Sequence, residues 1–314
     1  MSGKTRIGWL LIFSVCFCFL AWAPHSGFKT TTYFFLMIKY ICLAMSFNLI
    51  AGYVGYISFG HVAFYGIGGY VAAILASKTG LAAFSYLCLI LGAFGAATAG
   101  YFLGRVLLRL RGAYFAIATL ALNEALKVIM FNLPEEFSGG SFGIPLPTIR
   151  NPMAAYYLML IASSVSVIMI YYLVKSKLGV TLKAIREDED AAMAMGIDAP
   201  KYKAWAFSLS TFLMGLAGAI DLQFIGYIYP EAAFFIDINV EVIAMTMLGG
   251  IGTILGPVIG SVILFIIADF IWARWPFSHL IVLGVVLGML VMFMRRGILG
   301  LAEDKIPALR GKIK

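Results

Sequence analysis

Long apolar runs recur from one end of this chain to the other, at about 8–24, 32–51, 57–77, 81–104, 113–132, 153–174, 204–229, 234–249, 255–272 and 277–294. A hydrocarbon layer about 30 Å thick takes roughly 20 apolar residues per helical crossing, so these runs have the length of membrane spans. Short clusters of charge, Pro and Gly separate them. With 62% hydrophobic and 12% charged residues over 314 positions, the apolar excess is far beyond what one water-soluble core requires. The sequence predicts an all-α, polytopic membrane helix bundle of about ten transmembrane helices, with residues 1–314 forming a single domain.

The net charge of +8 does not point to nucleic acid, because Lys and Arg fall in the links between runs and no recognition motif accompanies them. It reads as topology. Ten helices put both termini on one side; threaded from an N-terminus inside, Arg105, Arg109, Arg111, the interval 175–203, and Arg295 with Arg296 all fall inside, as the positive-inside rule requires. The outer links, 133–152 and the turn around Pro230 and Glu231, are mainly acidic or neutral. Lys4 and Arg6 ahead of an apolar run ending in Ala21-Trp22-Ala23 imitate a signal peptide, but Pro24 hinders cleavage there, so 8–24 is expected to stay as the first helix. Cys16, Cys18, Cys42 and Cys88 lie inside apolar runs and form no Cys-x-x-Cys pair or metal set with His25, His61 or His279, which fits buried thiols.

Two glycine-studded stretches interrupt the pattern, one from Gly52 through Gly55, Ser58, Gly60 and His61, the other from Gly249 through Gly250, Gly252 and Pro257. Glycine in a helix interior costs about 1 kcal/mol relative to alanine, and proline removes a backbone donor, so each stretch is expected to unwind or kink where protein covers it or a cavity solvates it. Broken helices near the membrane midplane are where transporters hold substrates. Asn48, Gly52, Gly55, Ser58, Gly60, His61, Gly249, Gly250 and Gly252 are therefore the candidate translocation path, tight helix packing being the plainer explanation. Ala51-Gly52 with Gly60 is echoed by Ala217-Gly218 with Gly226 at the same spacing, which would fit an inverted repeat.

The longest charged interval on the inner side, about 175–203, reads as two short helices. Glu187, Asp188, Glu189 and Asp190 suit the first turn of the second, facing the positive end of its dipole, and Gly196 supplies the left-handed residue that ends it. Ala191, Ala192, Met193, Ala194 and Met195 between them are small or pliable, as a helix seated in a partner's groove requires.

Asp190-Ala191-Ala192-Met193-Ala194-Met195-Gly196 resembles the Glu-Ala-Ala-x-x-x-Gly signature through which permeases of ABC importers contact their ATPases, with Asp in place of Glu. The likeness extends along the chain to the branched-chain amino-acid ABC permease family of LivM type. It is carried by Ser46-Phe47-Asn48-Leu49-Ile50-Ala51-Gly52-Tyr53-Val54-Gly55, Ser58-Phe59-Gly60-His61, Arg111-Gly112-Ala113-Tyr114-Phe115-Ala116-Ile117-Ala118-Thr119-Leu120, Ser138-Gly139-Gly140, Ala184-Ile185-Arg186-Glu187-Asp188-Glu189 and Leu248-Gly249-Gly250-Ile251-Gly252. At Phe142 the family often carries Asp. The resemblance implies a bacterial inner-membrane pore shared with a LivH-like sister permease, two cytoplasmic ATPase subunits carrying ATP and Mg2+, and a solute-binding protein outside. The implied cargo is branched-chain or other apolar amino acids; related permeases serve urea, amide and aromatic-acid importers. Consistent with this, the chain has no G-x-x-x-x-G-K-[ST] phosphate loop and no nucleophile–base pair, so it is expected to hold no cofactor and to be no enzyme by itself.

Ion-coupled transport is the rival reading, and Glu124, Asp221, Glu241 and Asp269 inside apolar runs are what it would use. An unpaired charge at mid-span costs on the order of 3 kcal/mol, and Lys127 lies three residues beyond Glu124 on nearly the same helix face, which predicts an ion pair.

Overall fold

The computed structural model describes residues 27–79, 85–146 and 150–274, together with 20, 284, 285, 288, 297 and 298. The expected helices at 8–24 and 277–294 otherwise lie outside the described residues. Among the described residues, six segments are long and apolar enough to cross a membrane: Lys29–Val54, Tyr86–Leu107, Ala113–Asn132, Pro152–Lys175, Ala199–Ile225 and Pro230–Gly249. Val62–Lys78 and Gly256–Ile271 are shorter apolar helices. These account for eight of the ten expected runs, and the chain is a multi-pass, all-α membrane bundle.

Helix α1 (Phe28–Asn48) runs directly into a π-helical turn, Leu49–Val54. It is followed by α2 (Val62–Thr79), α3 (Ser85–Leu107), α4 (Ala113–Asn132) and α5 (Pro152–Lys175). Two short helices, α6 (Lys177–Glu187) and α7 (Glu189–Ala194), come next. The long α8 (Ala199–Ile225) precedes α9 (Ile236–Gly249) and α10 (Gly256–Arg274). Helix α8 starts five residues before its apolar run because Asp198 accepts from the Lys201 N–H and Pro200 occupies the first turn, where its missing donor is harmless. Pro257 likewise falls in the first turn of α10 rather than kinking it.

Helix α8 is the centre of the bundle, packed by α1, α2, α3 and α5. With no hydrophobic drive between helices in lipid, close backbone approach has to supply the packing. A Cβ on Gly218 would lie 2.1 Å from the Tyr65 carbonyl of α2, so only glycine fits. This separates the two halves of the glycine echo: Gly52 sits in the π turn, whereas Gly218 packs inside an unbroken helix, and Gly226 caps the end of α8. The links after α4 and α8 meet in a feature with no sequence signal, a two-residue antiparallel pair of β1 (Ile144–Pro145) with β2 (Tyr227–Ile228).

Three of the four acids inside the spans are compensated, while Asp269 of α10 is exposed. Glu124 and Lys127 pair at 2.8 Å on α4, as expected. Asp221 of α8 pairs at 3.4 Å with Lys39 of α1, both nearly buried, and accepts from the Tyr65 hydroxyl. Glu241 accepts from the Tyr40 hydroxyl.

Candidate functional site

The α6–α7 segment is built from amphipathic spacing and local caps. Gly179, Leu182 and Ile185 of α6 are buried at spacings of three, which holds the helix against the bundle. Asp188 closes α6 and caps α7, its Oδ1 accepting from the Ala191 N–H at 2.9 Å. Gly196 ends α7 at φ +86°, with Ile197 N bonded to Ala192 O and Gly196 N to Met193 O. This is the αL termination read from the sequence, in a form where the glycine and the following residue both donate back into the last turn.

The acidic cluster does more than face the helix dipole. Glu189 accepts from Lys203 Nζ at 2.6 Å and from the Tyr56 hydroxyl at 2.9 Å. Lys203, almost fully buried, also donates to Tyr56 Oη and to Leu108 O, each at 2.9 Å. Asp190 takes two hydrogen bonds from Arg111, at 2.8 and 3.1 Å. These bonds, then the guanidinium charge, hold the Asp190 carboxyl below the usual carboxylate range. Burial first, and then the bond to Glu189, raises the Tyr56 phenol well above its usual value, so it donates as a neutral hydroxyl. Helix α7 is thus bolted to α8 through Lys203, to the α3–α4 link through Arg111, and to the segment after the π turn through Tyr56, while Lys203 itself is held to Leu108 O of that link. Glu187 is exposed and free of these bonds.

One expectation is corrected. Ala192, read as part of the docking face, is only 6% exposed and packs with Ile185 and Ala199 of its own chain. In a six-residue helix capped at both ends, the i, i+3 face that contacts α6 and α8 includes Ala192. The outward face is instead Ala191, Ala194, Met193 and Met195, the last 84% exposed.

The two glycine breaks meet each other beside α6. Asn48 Nδ2 donates to Thr253 O at 2.8 Å and Asn48 Oδ1 accepts from Gly252 N at 2.8 Å, so one amide clips the first break to the second. A Cβ on Gly52 would lie 2.6 Å from Gly252 N, which requires glycine at this crossing. Arg186 of α6 donates to the Gly52 carbonyl, and its stem passes Gly55. The first break therefore sits at the α6–α7 end of α1, not at mid-span. The physical reason is length: Lys29–Val54 is 26 helical residues, about 39 Å at 1.5 Å each, enough to cross the hydrocarbon before the helix opens.

Beyond the π turn the chain is irregular and its exposure alternates: Gly55, Ile57 and Phe59 are exposed while Tyr56, Ser58 and Gly60 are buried. Gly60 abuts Thr119 of α4, and Ser58 O accepts from Asn239 of α9 at 3.1 Å. His61 is fully buried, with Nε2 2.7 Å from Ser210 Oγ and 3.3 Å from Ser46 Oγ. Gly249 ends α9, and Gly250, at φ +121°, bonds back to Thr246 O. Of the path candidates, Asn48, Gly52, Gly55 and Gly252 come together with Arg186; Ser58, Gly60 and His61 face the chain's own helices. Sequence reasoning missed Lys203 and Tyr56 as site residues. Arg111 and Arg186 stood inside the quoted motifs, and for Arg186 the available signal was its place directly before the acidic run 187–190.

The comparisons agree with one another. The chain is 26% identical to the high-affinity branched-chain amino acid transport system permease protein LivM of Escherichia coli, across all of this chain and 80% of that protein. It is 26% identical to LivH of Salmonella typhimurium, over 84% of this chain and 92% of that one, and 27% identical to BraD of Pseudomonas aeruginosa, over 72% and 79%. No solved structure matches. The family described as branched-chain amino acid transport system / permease component matches residues 30–294, and with most of the chain so matched, this protein belongs to that family and is a permease subunit of an ABC importer.

Proposed function

We propose that this chain forms one half of the translocation pore for branched-chain or other apolar amino acids, with a LivH-like sister permease as the other half. Both termini and the α6–α7 segment face the cytoplasm of a bacterium. Two ATPase subunits bind ATP and Mg2+ there, and a solute-binding protein delivers cargo from outside. The names of the LivM, LivH and BraD relatives support the cargo class.

The observation that carries the coupling reading is the anchoring of α7. Its outward face is small and pliable, while Glu189 and Asp190 tie it to three separate membrane segments. A displacement of α7 by a moving ATPase therefore moves α8, the start of α4 and the Tyr56 segment together. Arg186 carries the same motion from α6 into the clipped breaks at Gly52 and Gly252. Of the four acids that ion-coupled transport would use, Glu124, Asp221 and Glu241 are each engaged by a partner within the chain, which leaves that rival only Asp269, exposed on α10. Reconstitution of the two permeases with their ATPases and binding protein in vesicles tests the proposal. ATP-dependent uptake of leucine, isoleucine or valine is expected; uptake driven by an ion gradient without ATP, or of urea or aromatic acids alone, would overturn it.

A further inference from the structure

A groove on the face formed by α3, α5 and α8, closed at one end by α6, lies apart from the outward face of α7. It encloses about 500 Å3, within the roughly 300–1,000 Å3 of small-molecule sites. Phe94 of α3, Leu173 of α5, Leu178 and Leu182 of α6 and Phe212 of α8 line it, so its body is hydrocarbon. Along α8 the lining extends from Lys201 to Phe212, eleven residues or about 16 Å. That is close to half of the roughly 30 Å hydrocarbon layer, the depth of one leaflet.

The mouth has a different chemistry. Lys201 lies in the lining, and Lys175 and Lys177 flank the α5–α6 joint beside Leu173 and Leu178. Trp205 stands next to Lys201 in the wall and packs on Tyr101, over whose ring Arg105 sits. The acidic group nearest in sequence, Asp198, is engaged in capping the Lys201 N–H. Aromatic rings with Lys and Arg at a helix end are the arrangement found at membrane–water boundaries, and basic pockets between helices there take lipid headgroups. The ligand that fits has an apolar body one leaflet long and an anionic head.

We propose that this groove binds one anionic phospholipid of the cytoplasmic leaflet, an acyl chain lying between α3, α5 and α8 and the phosphate meeting Lys201. The choice of leaflet rests on the orientation proposed above; the site itself does not. Because Leu178 and Leu182 belong to α6, the bound lipid braces the helix whose Arg186 holds the first break.

The test uses the assembled importer in phosphatidylcholine vesicles, titrated with dibrominated-acyl phosphatidylglycerol or, separately, dibrominated-acyl phosphatidylcholine. The Trp205 signal is the fluorescence difference between the wild-type complex and Trp205→Phe. Phosphatidylglycerol is expected to quench that signal at an about fivefold lower mole fraction, the preference one cation near an anionic headgroup confers. Lys201→Glu should abolish the preference while the complex still assembles by gel filtration. Equal quenching by both lipids would mean an ordinary boundary lipid and overturn the proposal. So would absence of any Trp205 quenching, which would mean that protein covers the groove, either the sister permease or residues 1–26 or 275–314 of this chain. Neither result depends on cargo, so failure here is distinct from failure of the transport reading.

Discussion

Replacing Lys203 by methionine isolates the bolt that fastens α7 to the membrane helices. Methionine keeps an unbranched apolar stem of similar reach but removes every donor. Lys203 Nζ makes bonds of 2.6 Å to Glu189, 2.9 Å to Tyr56 and 2.9 Å to Leu108 O, with 3% of its side chain exposed. Breaking a buried ion pair from one side costs about 3–5 kcal/mol because the other charge is stranded. Glu189 is 14% exposed and keeps the Tyr56 hydroxyl and, at 3.8 Å, Arg111, so the lower end applies. About 3 kcal/mol corresponds to an about hundredfold rise in the population with α7 detached. Hydrogen exchange of the assembled complex reads this directly. Amides 191–197 should lose about a hundredfold of protection, those of α9 should not change, and ATP hydrolysed per cargo molecule should rise. Adding Glu189→Gln should restore part of the protection by removing the stranded charge. Unchanged protection at 191–197 in Lys203→Met would refute the anchoring argument.

Gly196→Val places a β-branched residue at φ +86° with open space around it, so backbone strain alone should cost about 1–3 kcal/mol; assembly should persist while uptake falls. Ala192→Trp should overfill this chain's own packing and lower the melting temperature of the purified permease pair, whereas Met195→Trp, on the exposed face, should leave that temperature unchanged and weaken ATPase pull-down. Gly52→Ala drives a methyl into Asn48 and Gly252, so exchange at amides 250–253 should rise and uptake should be lost in an assembled complex. Asp190 is held below its usual value, so the stability it contributes is present above about pH 4 and lost as pH falls through the lowered value; exchange at 191–197 corrected for intrinsic rate should be flat from pH 6 to 8.

The fold was legible because its dominant signal, apolar run length, depends on the bilayer rather than on tertiary detail. Eight described helices fall on the runs, and the α6–α7 pair was readable from the acidic run 187–190 and from Gly196, although that run did not show which acid caps the helix. The depth of the first break was not, because runs of apolar residues do not mark where the helix first meets the bilayer; Asn48 and Gly52 lie near the end of a 26-residue crossing. Nor was the facing of Ala192, since alanine suits both a protein core and a partner's groove. Lys39 and Tyr65, inside apolar runs, and Lys203, at the end of the charged interval, were hidden for a common reason: a polar side chain shows its partner only once distant segments are packed, as Lys39 does with Asp221 across 182 residues.

The central claim, that α7 is the point at which ATPase motion enters the membrane, is tested most directly by cross-linking from Met195. Its side chain is 84% exposed and capped below by Gly196, so Met195→Cys can carry a short thiol cross-linker without disturbing the bundle. In the assembled importer the account predicts a cross-link to one ATPase chain, with a yield that changes when ATP is bound and with loss of uptake once formed. An importer that takes up cargo at full rate while residue 195 reacts with no ATPase chain in any nucleotide state would contradict it.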